Sequence, residues 1–132
     1  MEAYHIERFG SVDGIVLRSS EHPRPGLKEI LMRVRACSLN YRDPMVLKGG
    51  GRGPIKIGVV PLSDGAGEVA SIGDGVTRVK VGDRIAGCFH PRWFGGPIKP
   101  EYLTDRPGAN LDGMLSRSRG PICPFGFAAS GA

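Results

Sequence analysis

The sequence has few of the features that stabilise secreted or membrane-spanning chains. It contains three cysteines among 132 residues, Cys37, Cys88 and Cys123. Their odd number and wide spacing argue against a disulfide framework. No apolar run approaches the roughly 18 residues of a membrane span, and the N-terminus lacks a signal-peptide pattern. We therefore expect a cytoplasmic protein with no membrane partner.

Clustered charge is also missing. The formal net charge is +5, but no five bases are consecutive, and all 13 acids lie at or before Asp112. The aromatic residues Trp93 and Phe94 have only Arg92 beside them, which is a weak pattern for stacking on nucleotides. The sequence therefore predicts no nucleic-acid partner.

Glycine and proline, in contrast, are abundant, with 21 and 11 copies. Neither is well tolerated inside helices, so a helical bundle is disfavoured and a turn-rich, mainly β domain is expected. Hydrophobic patterning predicts strands over residues 2–9, 13–18, 29–39, 64–73 and 84–89, a helical turn over 40–47, and a loop over 90–110. The clearest alternation places Ile30, Met32, Val34 and Ala36 on one face, with Leu31 as an exception.

Two short motifs that suggest ligand binding have ordinary explanations. Residues 65–70 (GAGEVA) match the dinucleotide pattern G-x-G-x-x-A, but a β-prone segment follows them rather than a helix. We interpret these glycines as bends in a strand. Cys88 and His90 are the only closely spaced pair of zinc donors, and a buried cysteine beside a histidine is more common than a zinc site. No metal site is predicted.

Asn40, Tyr41 and Asp43 follow the clearest strand and are candidates for a site. Polar side chains at the end of a strand often line a cleft. The simpler alternative is that Asn40 caps a helix and Asp43 is a surface carboxylate. The local sequence leaves both interpretations open.

Three ordered segments together resemble a known superfamily. They are residues 34–43 (VRACSLNYRD), 61–69 (PLSDGAGEV) and 73–87 (GDGVTRVKVGDRIAG). They resemble the medium-chain dehydrogenase/reductase superfamily, specifically its zinc-independent, quinone-oxidoreductase-like branch. The resemblance implies that residues 1–115 form the N-terminal GroES-like domain, a partly open β-barrel with a few short helices.

The resemblance also implies site residues and a chemistry. The zinc enzymes of this superfamily have cysteine, histidine and glutamate where this chain has Asn40, Ser63 and Asp64. Amide and hydroxyl groups are poor zinc ligands, so zinc-free chemistry is expected. In the zinc-free branch, NAD(P)H reduces a carbonyl, enone or quinone substrate. Asn40 and Tyr41 would then contact the nicotinamide and substrate, with Asp43 and Asp64 as further catalytic residues.

The end of the chain departs from the superfamily pattern. Residues 116–132 lack acids and periodicity, and we predict an irregular tail there, with a frameshift or truncation near residue 115 as a hypothesis. The superfamily's second half, a Rossmann domain that holds the cofactor, would then be absent. We expect the chain alone to bind no cofactor tightly, to be inactive, and to form a homo-oligomer or pair with a missing Rossmann partner. The alternative is a non-enzymatic GroES-like binding or assembly domain.

Overall fold

The computed structural model describes residues 1–51, 53–93, 95–116 and 123–126. Its strands are β1 (Glu2–Ile6), β2 (Ile15–Ser19), β3 (Glu29–Ser38), β4 (Asp64–Ile72), β5 (Arg84–Ala86) and β6 (Cys123–Gly126). The helix α1 (Arg42–Leu47) follows β3, and short 3-10 turns occupy Val12–Gly14 and Pro100–Leu103. The predicted mainly β fold, with open sheets and short helices, is confirmed.

The strands form two antiparallel sheets. β1 pairs with β2, and the second sheet has the order β5-β4-β3-β6. Isolated bridges link β1 to the rest of the fold, through Ala3 with Ser116 and Ile6 with Val59. Because the two described sheets are joined only by such isolated bridges, they form a barrel that is partly open.

Two apolar clusters form the core. One lies on the four-stranded sheet and includes Ile30, Met32, Val69 and Met114. The second joins β1 to α1 through Ile6, Val46, Val59 and Ala109. The second cluster fixes the position of the helix that follows β3, because burial of Val46 holds one face of the helix against β1.

The inner face of β3 differs in part from its predicted pattern. Ile30, Met32 and Val34 are buried as expected, but Ala36 is exposed and Leu31 is buried. The pairing with β4 shifts between Leu31 and Met32 and again between Val34 and Ala36. These bulges interrupt the strict alternation of a regular strand, so the prediction for Ala36 was wrong.

The glycines of β4 have a packing role. A Cβ on Gly67 would stand 2.0 Å from the Arg33 carbonyl oxygen, and one on Gly65 would stand 2.8 Å from Met114 Cγ. Both glycines lie within a strand rather than at the start of a helix. The interpretation of residues 65–70 as strand rather than nucleotide loop is confirmed.

The segment predicted to be an irregular tail lies mostly outside the described residues. Within it, Cys123–Gly126 forms β6, which pairs with Glu29–Met32 at the start of β3. Those four residues continue the main sheet beyond the proposed domain boundary at residue 115.

Candidate functional site

The candidate site forms where β3 ends and β4 begins. The strands are antiparallel, and Ser38 is the partner of Asp64 in the register. Asn40 follows β3 by two residues, and Ser63 immediately precedes β4. The topology therefore brings together side chains more than 20 positions apart along the chain.

Asn40 is the centre of this group. Its Nδ2 donates to Asp64 Oδ2 at 2.6 Å and lies 3.3 Å from Ser63 Oγ. Its Oδ1 accepts the backbone N–H of Arg42 at 3.2 Å, while its own backbone N–H donates to Asp43 Oδ2 at 2.8 Å. The asparagine side chain is thereby fixed in orientation by both of its polar ends.

Ser63 is fully buried and follows an unusual backbone conformation. Leu62 has a φ of 73°, in the left-handed region that few non-glycine residues adopt. Gly113 lies so close that a Cβ on it would be 2.0 Å from the Leu62 carbonyl oxygen. The backbone before β4 thus packs closely against Gly113, which fixes where the Ser63 hydroxyl lies.

Asp43 is buried, with 9% of its surface exposed. Burial raises the pKa of its carboxyl, against the hydrogen bond from the Asn40 backbone and the charge of Arg42. The alternative that Asp43 is a surface carboxylate is therefore wrong. Asp43 instead braces the turn between β3 and α1.

Tyr41 has a different environment. It is 85% exposed, and its neighbour Leu39 is 81% exposed. Its side chain makes no cap hydrogen bond to α1, at whose N-terminus it stands. The structure brings together Asn40, Asp43 and Asp64, whereas the ring of Tyr41 lies in solvent beside them.

Sequence reasoning missed the basic residue between Tyr41 and Asp43. Arg42 Nη1 donates to the Pro107 carbonyl at 2.9 Å, and its guanidinium lies over the Phe89 ring, 5.0 Å from the centroid. Burial lowers the pKa of Arg42. The position of Arg42 within residues 40–43 (NYRD) was the only sequence signal for its role. Its contacts could not be predicted, because its partners lie 47 or more positions away along the chain.

No three His, Cys, Asp or Glu side chains come together as a metal-binding group in the part of the chain that the structure describes. Cys37 and Cys88 are exposed free thiols. Within the same described ranges, no helix is long and apolar enough to cross a membrane.

Curated relatives share this region. The chain is 38% identical over 89 residues to a zinc-type alcohol dehydrogenase-like protein of Schizosaccharomyces pombe, covering 67% of this chain and 26% of that protein. It is 39% identical over 79 residues to the rat synaptic vesicle membrane protein VAT-1 homolog, covering 58% of this chain and 20% of the relative. The chain thus spans about a quarter or less of these relatives.

A third relative aligns over nearly the whole chain. A polyketide synthase of Streptomyces halstedii is 36% identical over 128 residues, covering 95% of this chain and 2% of its own length. This alignment extends into the segment after Leu115.

Solved structures agree with the fold. A protein from Sinorhizobium meliloti described as an alcohol dehydrogenase matches with a TM-score of 0.79 and 32% identity, covering 95% of this chain and 37% of its own. A Pseudomonas syringae quinone oxidoreductase matches with a TM-score of 0.59 and 30% identity, covering 64% of this chain and 26% of its own. Residues 26–104 match the alcohol dehydrogenase GroES-like domain family, and the chain belongs to it.

Proposed function

We propose that this chain is the catalytic half of a zinc-independent, NAD(P)H-dependent oxidoreductase that acts on a quinone, enone or other carbonyl compound. The observation that carries the proposal is the contact of Asn40 Nδ2 with Asp64 Oδ2 and Ser63 Oγ. The family resemblance implies that Asn40, Ser63 and Asp64 stand where zinc enzymes of this superfamily have their metal ligands. Here the same position holds a network of hydrogen bonds.

The donor set supports zinc-free chemistry. A zinc site needs thiolate, imidazole or carboxylate donors, and two of the three positions offer an amide and a hydroxyl. The third, the Asp64 carboxylate, already accepts a short hydrogen bond from Asn40. We propose that Ser63 and Asp64 hold the Asn40 amide in place, and that a substrate is oriented at this site through hydrogen bonds rather than through a Lewis acid.

NAD(P)H would supply the hydride, and this chain's residues would position its reactive end. The glycines of β4 lie within a strand and face backbone and Met114, whereas a pyrophosphate-binding glycine loop opens a helix. We therefore propose that a Rossmann domain, in the same or a separate chain, holds most of the cofactor. We propose that the exposed Tyr41 and the neighbouring Asn40 meet the nicotinamide, and the exposure of Tyr41 supports this.

The proposed compartment is the cytoplasm. Cys37 and Cys88 are exposed and unpaired. Free surface thiols persist in a reducing environment, which supports this assignment.

A domain exchange tests the proposal. This chain replaces the N-terminal domain of the Pseudomonas syringae quinone oxidoreductase, and NADPH oxidation is followed with a quinone acceptor. We expect turnover by the chimera, none by this chain alone, and no effect of a zinc chelator on the chimera. Asn40→Ala in the chimera should lower kcat/KM by at least about tenfold, because the positioned amide is lost.

Ser19→Ala serves as the matched control, because Ser19 is exposed in β2. Its kcat/KM should equal that of the unmodified chimera. A folded but inactive chimera, or turnover by this chain alone, would contradict the proposal. Equal kcat/KM values for the Asn40→Ala and Ser19→Ala variants would show that Asn40 has no role in the reaction.

A further inference from the structure

A cavity of about 430 Å³ opens beside α1, and the first residue of that helix, Arg42, lines it. This is within the ordinary range for small-molecule sites. Its apolar walls come from six residues, Met45, Val46, Ile55, Phe89, Leu103 and Ala109. A short hydrocarbon or aromatic skeleton would fit these walls.

Among the residues that the structure describes, the charged and titratable side chains that line the cavity are all bases. They are Arg42, His90 and Arg106, and no described aspartate or glutamate lines it. Arg42 has one nitrogen bonded to the Pro107 carbonyl, while its Nη2 is buried without a partner among the described residues. A buried guanidinium nitrogen without an acceptor is costly, and a bound anion would satisfy it.

Arg106 and His90 complete the basic side. Arg106 Nη2 donates to the Pro54 carbonyl at 3.1 Å, which leaves other guanidinium N–H groups for a ligand. His90 Nδ1 is buried and, within the described chain, has no hydrogen-bond partner. Burial lowers the pKa of His90, and the charges of Arg42 and Arg106 lower it further. The charges of Arg42 and Arg106 therefore both act on the His90 imidazole.

The two carboxylates whose charges act on Arg42, and the aspartate beside Arg106 in the chain, have other hydrogen-bond partners. Asp43 accepts the backbone N–H of Asn40, and Asp64 accepts Nδ2 of the same residue. Asp105, which precedes Arg106, pairs with Arg92. Within the described lining, therefore, no acid offsets the positive charges of Arg42 and Arg106.

We propose that this cavity binds a small carboxylate with an unsaturated or aromatic skeleton, whose carboxylate meets Arg42 and Arg106 and whose skeleton packs on Phe89 and its apolar neighbours. Guanidinium groups match a carboxylate in geometry and charge. The identification of this ligand as the substrate rests on the proposed oxidoreductase function. If both hold, the hydride acceptor is an unsaturated acid rather than any enone.

The test compares trans-cinnamate with its neutral isostere cinnamamide, by titrating the 132-residue chain and following amide NMR shifts. We expect cinnamate to bind at least about tenfold more tightly, because only its carboxylate makes charge-assisted hydrogen bonds. Arg42→Gln and Arg106→Gln should each remove most of that preference. Arg24→Gln, in the exposed 20–27 loop, is the matched control and should retain it.

Arg42→Lys keeps the positive charge and tests the site if Arg42→Gln fails to fold. It should retain part of the preference. Equal binding of cinnamate and cinnamamide, binding of neither, or cinnamate binding unchanged in both glutamine variants would overturn the proposal. If inorganic phosphate binds as tightly as cinnamate, the proposal that the apolar walls bind the ligand's skeleton would be overturned.

The chimera separates this inference from the proposed function. An active chimera that shows no preference for cinnamate overturns the anion site alone. A folded, inactive chimera whose cavity still prefers cinnamate overturns the proposed function alone.

Discussion

At the scale of single residues, one asparagine organises the site through its hydrogen bonds. Asn40 has its side-chain amide bonded to Asp64, its carbonyl bonded to the Arg42 backbone and its backbone N–H bonded to Asp43. An aspartate or leucine of similar size would supply only part of this set, because both a donor and an acceptor are used. Asparagine suits this position because its side chain can donate to Asp64 and accept from the Arg42 backbone at the same time.

Asp43 gives a prediction about pH. Its pKa in the folded protein is raised by burial, so its contribution to stability is present below about pH 4 and is lost as the pH rises through the raised pKa. Asp43→Asn removes this titration and keeps an oxygen that can accept the Asn40 N–H. We expect the free energy of unfolding of the variant, relative to wild type, to increase between about pH 4 and about pH 7.

Urea denaturation at the two pH values measures this difference. Asp74→Asn is the control, since Asp74 is exposed in a turn, and its difference from wild type should change little. A relative stability of Asp43→Asn that falls with rising pH would contradict the burial argument.

At the scale of elements, the pair β3–β4 forms the central part of the site. Bulges in β3 change which side chains face inward, and the glycines of β4 let the two strands approach closely. The end of β3 and the start of β4 therefore meet in a fixed register, and the site residues lie at that junction.

Gly67→Ala tests this close approach. A Cβ there would be 2.0 Å from the Arg33 carbonyl oxygen, a backbone atom that cannot move without displacing β3. We expect the free energy of unfolding to fall by about 3 kcal/mol or more, measured by chemical denaturation. Ala66→Ser, at the exposed neighbouring position, should change it by less than about 0.5 kcal/mol. Similar values for the two variants would show that the strands can separate without cost.

At the scale of the whole molecule, apolar side chains are exposed beside the site. Leu39 and Tyr41 flank Asn40 and are 81% and 85% exposed. Large apolar groups that are exposed side by side favour association. This face is where the proposed Rossmann partner, or a second copy of the chain, would make contact.

Leu39→Lys should weaken self-association. Sedimentation of the wild-type chain should depend on protein concentration, and the variant should shift toward the monomer because a charge replaces the exposed apolar group. Val12→Lys is the control, since Val12 is 69% exposed and lies in the turn between β1 and β2. A wild-type chain that stays monomeric at every concentration, or equal effects of the two lysines, would contradict this prediction.

The sequence by itself determined the fold class and most strands, whereas Asn40, Asp43 and Asp64 were predicted as site residues only through the family resemblance. Alternating residues in β3 and glycine-rich turns are local signals, so they can be read without knowing the topology. The same signals predicted a strand rather than a nucleotide loop at residues 65–70, because the segment after the glycines favours strand over helix.

Only the tertiary structure decided which distant residues are in contact. The contacts of Asn40 with Ser63 and of Arg42 with Pro107 join positions 23 and 65 apart along the chain, a separation that no local pattern reports. The burial of Asp43 and the bulge that exposes Ala36 likewise depend on packing between elements. The basic cavity had no signal in the sequence, because its arginines and histidine converge only when the 84–110 segment packs against α1.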